Sequence, residues 1–147
     1  RQSADNATPS GNGTMTDVLA RLYLITGDEQ FRTRAEDVCA AFPAEHASAV
    51  TNMPTLLNAF ELLSEGTQVV IAGHNGNCAR LVTAALSAPG ALRVLIRTDG
   101  QTSLSPSHPA YGKNTMNGKA TAYICRAGTC SDPVFDGDAL IERLKGL

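Results

Sequence analysis

The hydrophobic period of this chain changes once, near Gly66, and that change limits the folds open to it. Before Gly66, apolar residues recur every three or four positions, the spacing that lines one face of a helix. Beyond it, short β-branched runs alternate with a helical stretch, the spacing of strands joined by a helix. The expected fold is α+β: a helical part over residues 1–66, then a small α/β part over residues 67–147.

Within the helical part, Met15, Val18, Leu19, Leu22 and Tyr23 share one predicted helix face, with Thr14 and Asp17 as a capping arrangement and Gly27 as the stop. Phe31, Ala35, Val38, Cys39 and Phe42 repeat the spacing after Asp28, which predicts an antiparallel hairpin ended by Pro43. A third helix is expected with Pro54 in its first turn and Leu56, Leu57, Phe60 and Leu63 on its buried side.

In the α/β part, the run from Gln68 to Gly73, a helix carrying Leu81, Val82, Ala85 and Leu86, and the run from Leu92 to Ile96 read as a βαβ unit. A third strand is expected from Ala120 to Cys125, and Asp136 is placed to cap a closing helix with Leu140, Ile141 and Leu144. The layer should therefore hold three strands, mainly parallel. Between Thr98 and Lys119 no apolar period survives, and a connection of that length is usually functional or mobile.

With 147 residues the chain is long enough for one ordinary domain, burying roughly 68–70% of its unfolded surface. Twelve basic and fourteen acidic residues give a formal charge of −2, with no basic run to attract nucleic acid or an anionic membrane. No apolar stretch approaches the roughly 20 residues of a membrane span. Four scattered cysteines suit a reducing cytoplasm, the compartment expected for this chain. Arg stands at position 1, which points to a processed, trimmed or excised piece of a longer chain.

Three clusters could carry chemistry. The loop from Asp5 to Gly13 offers Asp5, Ser10 and Asn12 as hydrogen-bonding groups for a carbohydrate, although Ser, Asn and Gly are also ordinary turn and cap residues. His74 and Cys78 flank the turn after the first strand, where open α/β sheets bind ligands, yet no dinucleotide or P-loop fingerprint is present there. Cys125 and Cys130 enclose a glycine-containing turn that could bring two sulfurs together as a structural bridge, as packing, or as a redox pair. A zinc site would need two further ligands, and Cys39, Cys78, His46, His74 and His108 show no companion spacing, so neither metal nor cofactor is expected.

Two segments carry a family resemblance. The loop Ala7 to Asn12, continuing through Leu24 to Glu36, and the run Thr121 to Cys125 with Cys130, Pro133 and Val134 resemble the C-terminal region of YyaL-like thioredoxin-domain-containing proteins of the spermatogenesis-associated protein 20 type. The resemblance implies the last hairpins of an α/α toroid, similar to N-acylglucosamine 2-epimerases and six-hairpin glycosidases, followed by an α/β tail. It also implies that the partners are the rest of a parent chain, namely a thioredoxin-like domain and the remaining toroid helices, or another copy of this chain. By the same resemblance the loop with Ser10 and Asn12 would lie at the toroid mouth, against a carbohydrate ligand. The family's activity is poorly defined, so an architectural role, a thiol-redox module or part of a carbohydrate-processing enzyme are the functions it leaves open.

Overall fold

The computed structural model describes residues 4–42, 51–74, 78–90, 92–99 and 104–147. Its elements are α1 (Gly11–Thr26), α2 (Glu29–Ala40), α3 (Pro54–Glu65), β1 (Thr67–Ala72), α4 (Ala79–Ser87), β2 (Arg93–Thr98), β3 (Thr121–Arg126), β4 (Thr129–Cys130) and α5 (Gly137–Lys145). The chain is α+β and divides into two compact units, Arg1–Gly66 and Thr67–Leu147.

In the helical unit, α1 starts four residues earlier than the Thr14 arrangement predicts. Ser10 is the N-cap, and its hydroxyl accepts a hydrogen bond from the Gly13 amide. Gly27 closes the helix in the left-handed conformation, donating its N–H to the Tyr23 carbonyl. Asp28 then caps α2 by accepting from the Gln30 amide. Pro43, the expected stop, and His46 lie outside the described residues.

Helices α1 and α3 run in the same direction. Gly13 lies against the first turn of α3, where a Cβ would come within 2.9 Å of the Leu56 nitrogen, and Leu24 lies against Gly66 beyond the other end of α3. Gly13 thus permits a close approach that a larger residue would block.

The buried faces differ from the expected ones. Leu19, Ala20 and Leu24 are buried on α1, whereas Met15 (54%), Val18 (45%) and Ile25 (42%) are exposed. On α3 the buried residues are Leu56, Ala59, Leu62 and Leu63, while Leu57 and Phe60 are exposed. On α2 only Ala35 is buried, with Phe31, Val38 and Cys39 partly covered. Period alone locates a helix but cannot choose between two apolar flanks when a helix carries more apolar surface than its neighbours cover.

The α/β unit holds a four-stranded sheet in the order β2-β1-β3-β4. β1 and β2 are parallel, but β3 is antiparallel to β1 and β4 is antiparallel to β3. The expected three-stranded, mainly parallel layer is therefore corrected to a four-stranded mixed one. No described helix lies between β2 and β3, so the crossover that enforces parallel pairing is missing and β3 enters on the far side of β1. β4 has only two residues and leaves no period to detect.

One face of this sheet packs on α4 and α5. Val69, Ile71, Ala122 and Ile124 form a core with Leu81, Ala84 and Ala85 of α4, and with Leu140 and Leu144 of α5. Asp136 caps α5 as expected, accepting from the Asp138 and Ala139 amides. On the opposite face the segment from residue 104 to 119 is tied down by side chains of β3. The Tyr123 hydroxyl donates to the Asn114 carbonyl at 2.7 Å, and the Thr121 hydroxyl donates to the Lys119 carbonyl while accepting from the Met116 amide.

Candidate functional site

Asp5 is the organising residue of the N-terminal loop. One carboxylate oxygen accepts from the Ser10 amide at 2.6 Å and the other from the Thr55 amide at 2.7 Å. Ser10 caps α1 and Thr55 lies in the first turn of α3, so one carboxylate serves two adjacent helix N-termini. Met53, the N-cap of α3, makes no side-chain capping bond, and Asp5 supplies the acceptor from a distance of 50 residues along the chain. Each N-terminus carries about half a positive charge, so parallel neighbours repel unless an anion sits between them. The Thr55 and then the Ser10 backbone bonds lower the Asp5 pKa to about 2. Asn12, in the first turn of α1, is partly covered, and its carbonyl accepts from the Thr16 hydroxyl.

The turn after β1 separates its two candidates. His74 is exposed, while Cys78 is buried and points its thiol back toward the His74 carbonyl at 3.7 Å. Gly73 makes room for that sulfur, since a Cβ there would lie 2.5 Å from Cys78 Sγ and 3.2 Å from Ala120 Cβ. Residues 75–77 lie outside the described set.

Cys125 and Cys130 are joined by a disulfide. They stand directly opposite each other in the β3–β4 register, and Arg126 pairs with Thr129 across a two-residue loop. Ala127 and Gly128 both have positive φ, 48° and 77°, which is the type I′ geometry that matches the twist of a two-residue hairpin. Cys125 is completely buried and Cys130 partly so. By the alternation along β3, Cys125 shares the sheet face of Thr121 and Tyr123, the face toward residues 104–119. Cys130 Sγ lies 3.3 Å from the Pro109 carbonyl oxygen of that segment.

Two further features had no signal in the sequence. An open groove of about 430 Å³ runs between α4 and α5, with Arg80, Thr83, Phe135, Asp138 and Ile141 among its walls. His108 is buried in the 104–119 segment, where its Nδ1 accepts from the Ala110 amide. Among the described residues no group of three or more His, Cys, Asp or Glu is placed to hold a metal ion. The free thiol of Cys39, on α2, is pushed above its usual pKa by burial and then by the Glu36 charge.

The fold and these sites describe a helical unit followed by a mixed α/β unit with a disulfide-closed hairpin. Human spermatogenesis-associated protein 20 is similar to this chain, 28% identical over 142 residues that cover 92% of the chain and 18% of the relative. The chain thus spans less than a fifth of that protein's length. No family profile and no solved structure matches the chain. Among the described residues no helix is long and apolar enough to cross a membrane.

Proposed function

We propose that the chain is an architectural part of a longer thioredoxin-domain-containing protein, its helical unit forming the last hairpins of an α/α toroid and its α/β unit the tail that follows them. The supporting observation is the pairing of parallel α1 and α3 with apolar residues left uncovered on both. In a ring of antiparallel hairpins every second helix runs the same way, and each wall helix needs neighbours on two sides. Met15, Val18 and Ile25 on α1, with Leu57 and Phe60 on α3, are the surface that such neighbours would cover. On this reading a sugar-type pocket is completed by residues outside this chain, with Ser10 and Asn12 at its rim and Asp5 holding that rim in place.

The test compares the chain with the longer protein. In the isolated chain, Val18→Ser and Phe60→Ser should leave stability unchanged and reduce self-association measured by sedimentation. In the longer protein the same changes should destabilise, as expected of buried apolar side chains. Neutral behaviour in both settings would remove the toroid reading. For the pocket, Asp5→Ala, Ser10→Ala and Asn12→Ala should abolish sugar binding by the longer protein, and retained binding rejects it.

A second reading, thiol–disulfide chemistry at Cys125 and Cys130, is favoured by the bridge between a buried and a partly exposed sulfur. Thiol titration of the native chain should rise by two groups after mild reductant. An unchanged count under mild reductant excludes it.

A further inference from the structure

Resting on that second reading, we propose that Cys130 is the exchange sulfur, attacked by a dithiol of another protein, and that Pro109 supplies an acceptor used only by the reduced state. Exchange requires a thiolate to approach one sulfur of the bridge. Cys125 is completely buried on β3, between β1 and β4, so no thiolate reaches it while the sheet is intact. Cys130 is on the short edge strand and partly exposed. Attack therefore falls on Cys130.

The Pro109 carbonyl bears on the reduced product rather than on the point of attack. Its oxygen sits 3.3 Å from Cys130 Sγ. A bridged sulfur has no proton to donate, so this oxygen gains a hydrogen bond from Cys130 only after the bridge opens. The position of residues 104–119 thus favours the reduced hairpin, and Thr121 and Tyr123 hold those residues there in the bridged structure.

The chemistry balances as two exchanges. An incoming thiolate bonds to Cys130 Sγ, the Cys125–Cys130 bond breaks, and its electron pair passes to Cys125 Sγ, which takes a proton from solvent. The second thiol of the dithiol, as thiolate, then attacks the dithiol sulfur of the mixed disulfide. Cys130 Sγ leaves with the electron pair, is protonated, and turns its S–H to the Pro109 oxygen. The dithiol is oxidised to a disulfide and the hairpin is reduced to two thiols.

The experiment uses the native chain and a thioredoxin whose second active-site cysteine is replaced by serine, so that the mixed disulfide cannot resolve. After acid quenching and peptide mapping by mass spectrometry, the adduct should be on Cys130 at least tenfold over Cys125. An adduct on Cys125, or an even split, overturns the assignment to Cys130 while leaving exchange at the bridge intact. A bridge that persists with no adduct overturns both. In the fully reduced chain, the S–H stretch lost on Cys130→Ser should lie below that of a thiol without an acceptor, and an unshifted band overturns the role given to Pro109.

Discussion

In the α/β unit, Leu140 of α5 and Val69 and Ile71 of β1 are completely shielded, and every member of their core cluster comes from that same unit. The helical unit leaves Met15, Val18, Ile25, Leu57 and Phe60 exposed on two neighbouring helices, whereas the exposed large apolar residues of the α/β unit, Leu86, Tyr111, Met116, Phe135 and Leu147, are spread over α4, the 104–119 segment, the approach to α5 and the end of the chain. A sheet with helices on one face and a tethered segment on the other covers the apolar residues of its own central strands. The three described helices do not enclose one another, because a helix with an apolar circumference needs contacts on more sides than two neighbours supply.

The largest expected effect tests that contrast directly. Leu140→Ala should cost about 3 kcal/mol in urea unfolding, whereas Phe60→Ala should stay within about 0.5 kcal/mol in the same chain. Equal costs would abolish the distinction between the units. Next, opening the hairpin by Cys125→Ser with Cys130→Ser should destabilise by about 2 kcal/mol, the loop-closure value for six residues. A loss confined to the helical unit's unfolding transition would contradict this placement.

Asp5 gives the pH signature of the helical unit. Its folded pKa of about 2 lies below the ordinary carboxylate value of 3.8, so its contribution is present above about pH 4 and is lost as the pH falls toward 2. In Asp5→Asn, acid titration followed by circular dichroism should show a shallower loss of helix across that window and lower stability at neutral pH. The smallest effect belongs to the turn. Ala127 holds a left-handed conformation at φ 48°, so Ala127→Asn should stabilise by roughly 0.5–1 kcal/mol in thermal unfolding.

The sequence made the helices legible through period and punctuation: Gly27, Asp28, Pro54 and Asp136 each occupy the terminus expected of them. It concealed which flank of α1 and α3 is covered, because Met15 and Leu57 satisfy the period as well as Ala20 and Ala59 do. Strand direction was also hidden, since pairing of β3 depends on a connection without helical period. In the candidate sites, the glycine turn between Cys125 and Cys130 permitted their approach in the sequence but did not decide between a bridge and two thiols. The bond from Asp5 to Thr55 was not legible, because contacts between residues 50 apart leave no local pattern. Nor did any spacing reveal the Pro109 oxygen beside Cys130, 21 residues away.

The tight fit of Cys78 beneath Gly73 has a practical consequence. Cys78 is 1% exposed, so a thiol reagent reaches its sulfur only during excursions in which β1 and α4 separate. The rate at which Cys78 is alkylated, followed against denaturant, therefore meters the opening equilibrium of the α/β unit without an introduced label. Cys39, partly accessible on α2, serves as the internal clock for the reagent itself.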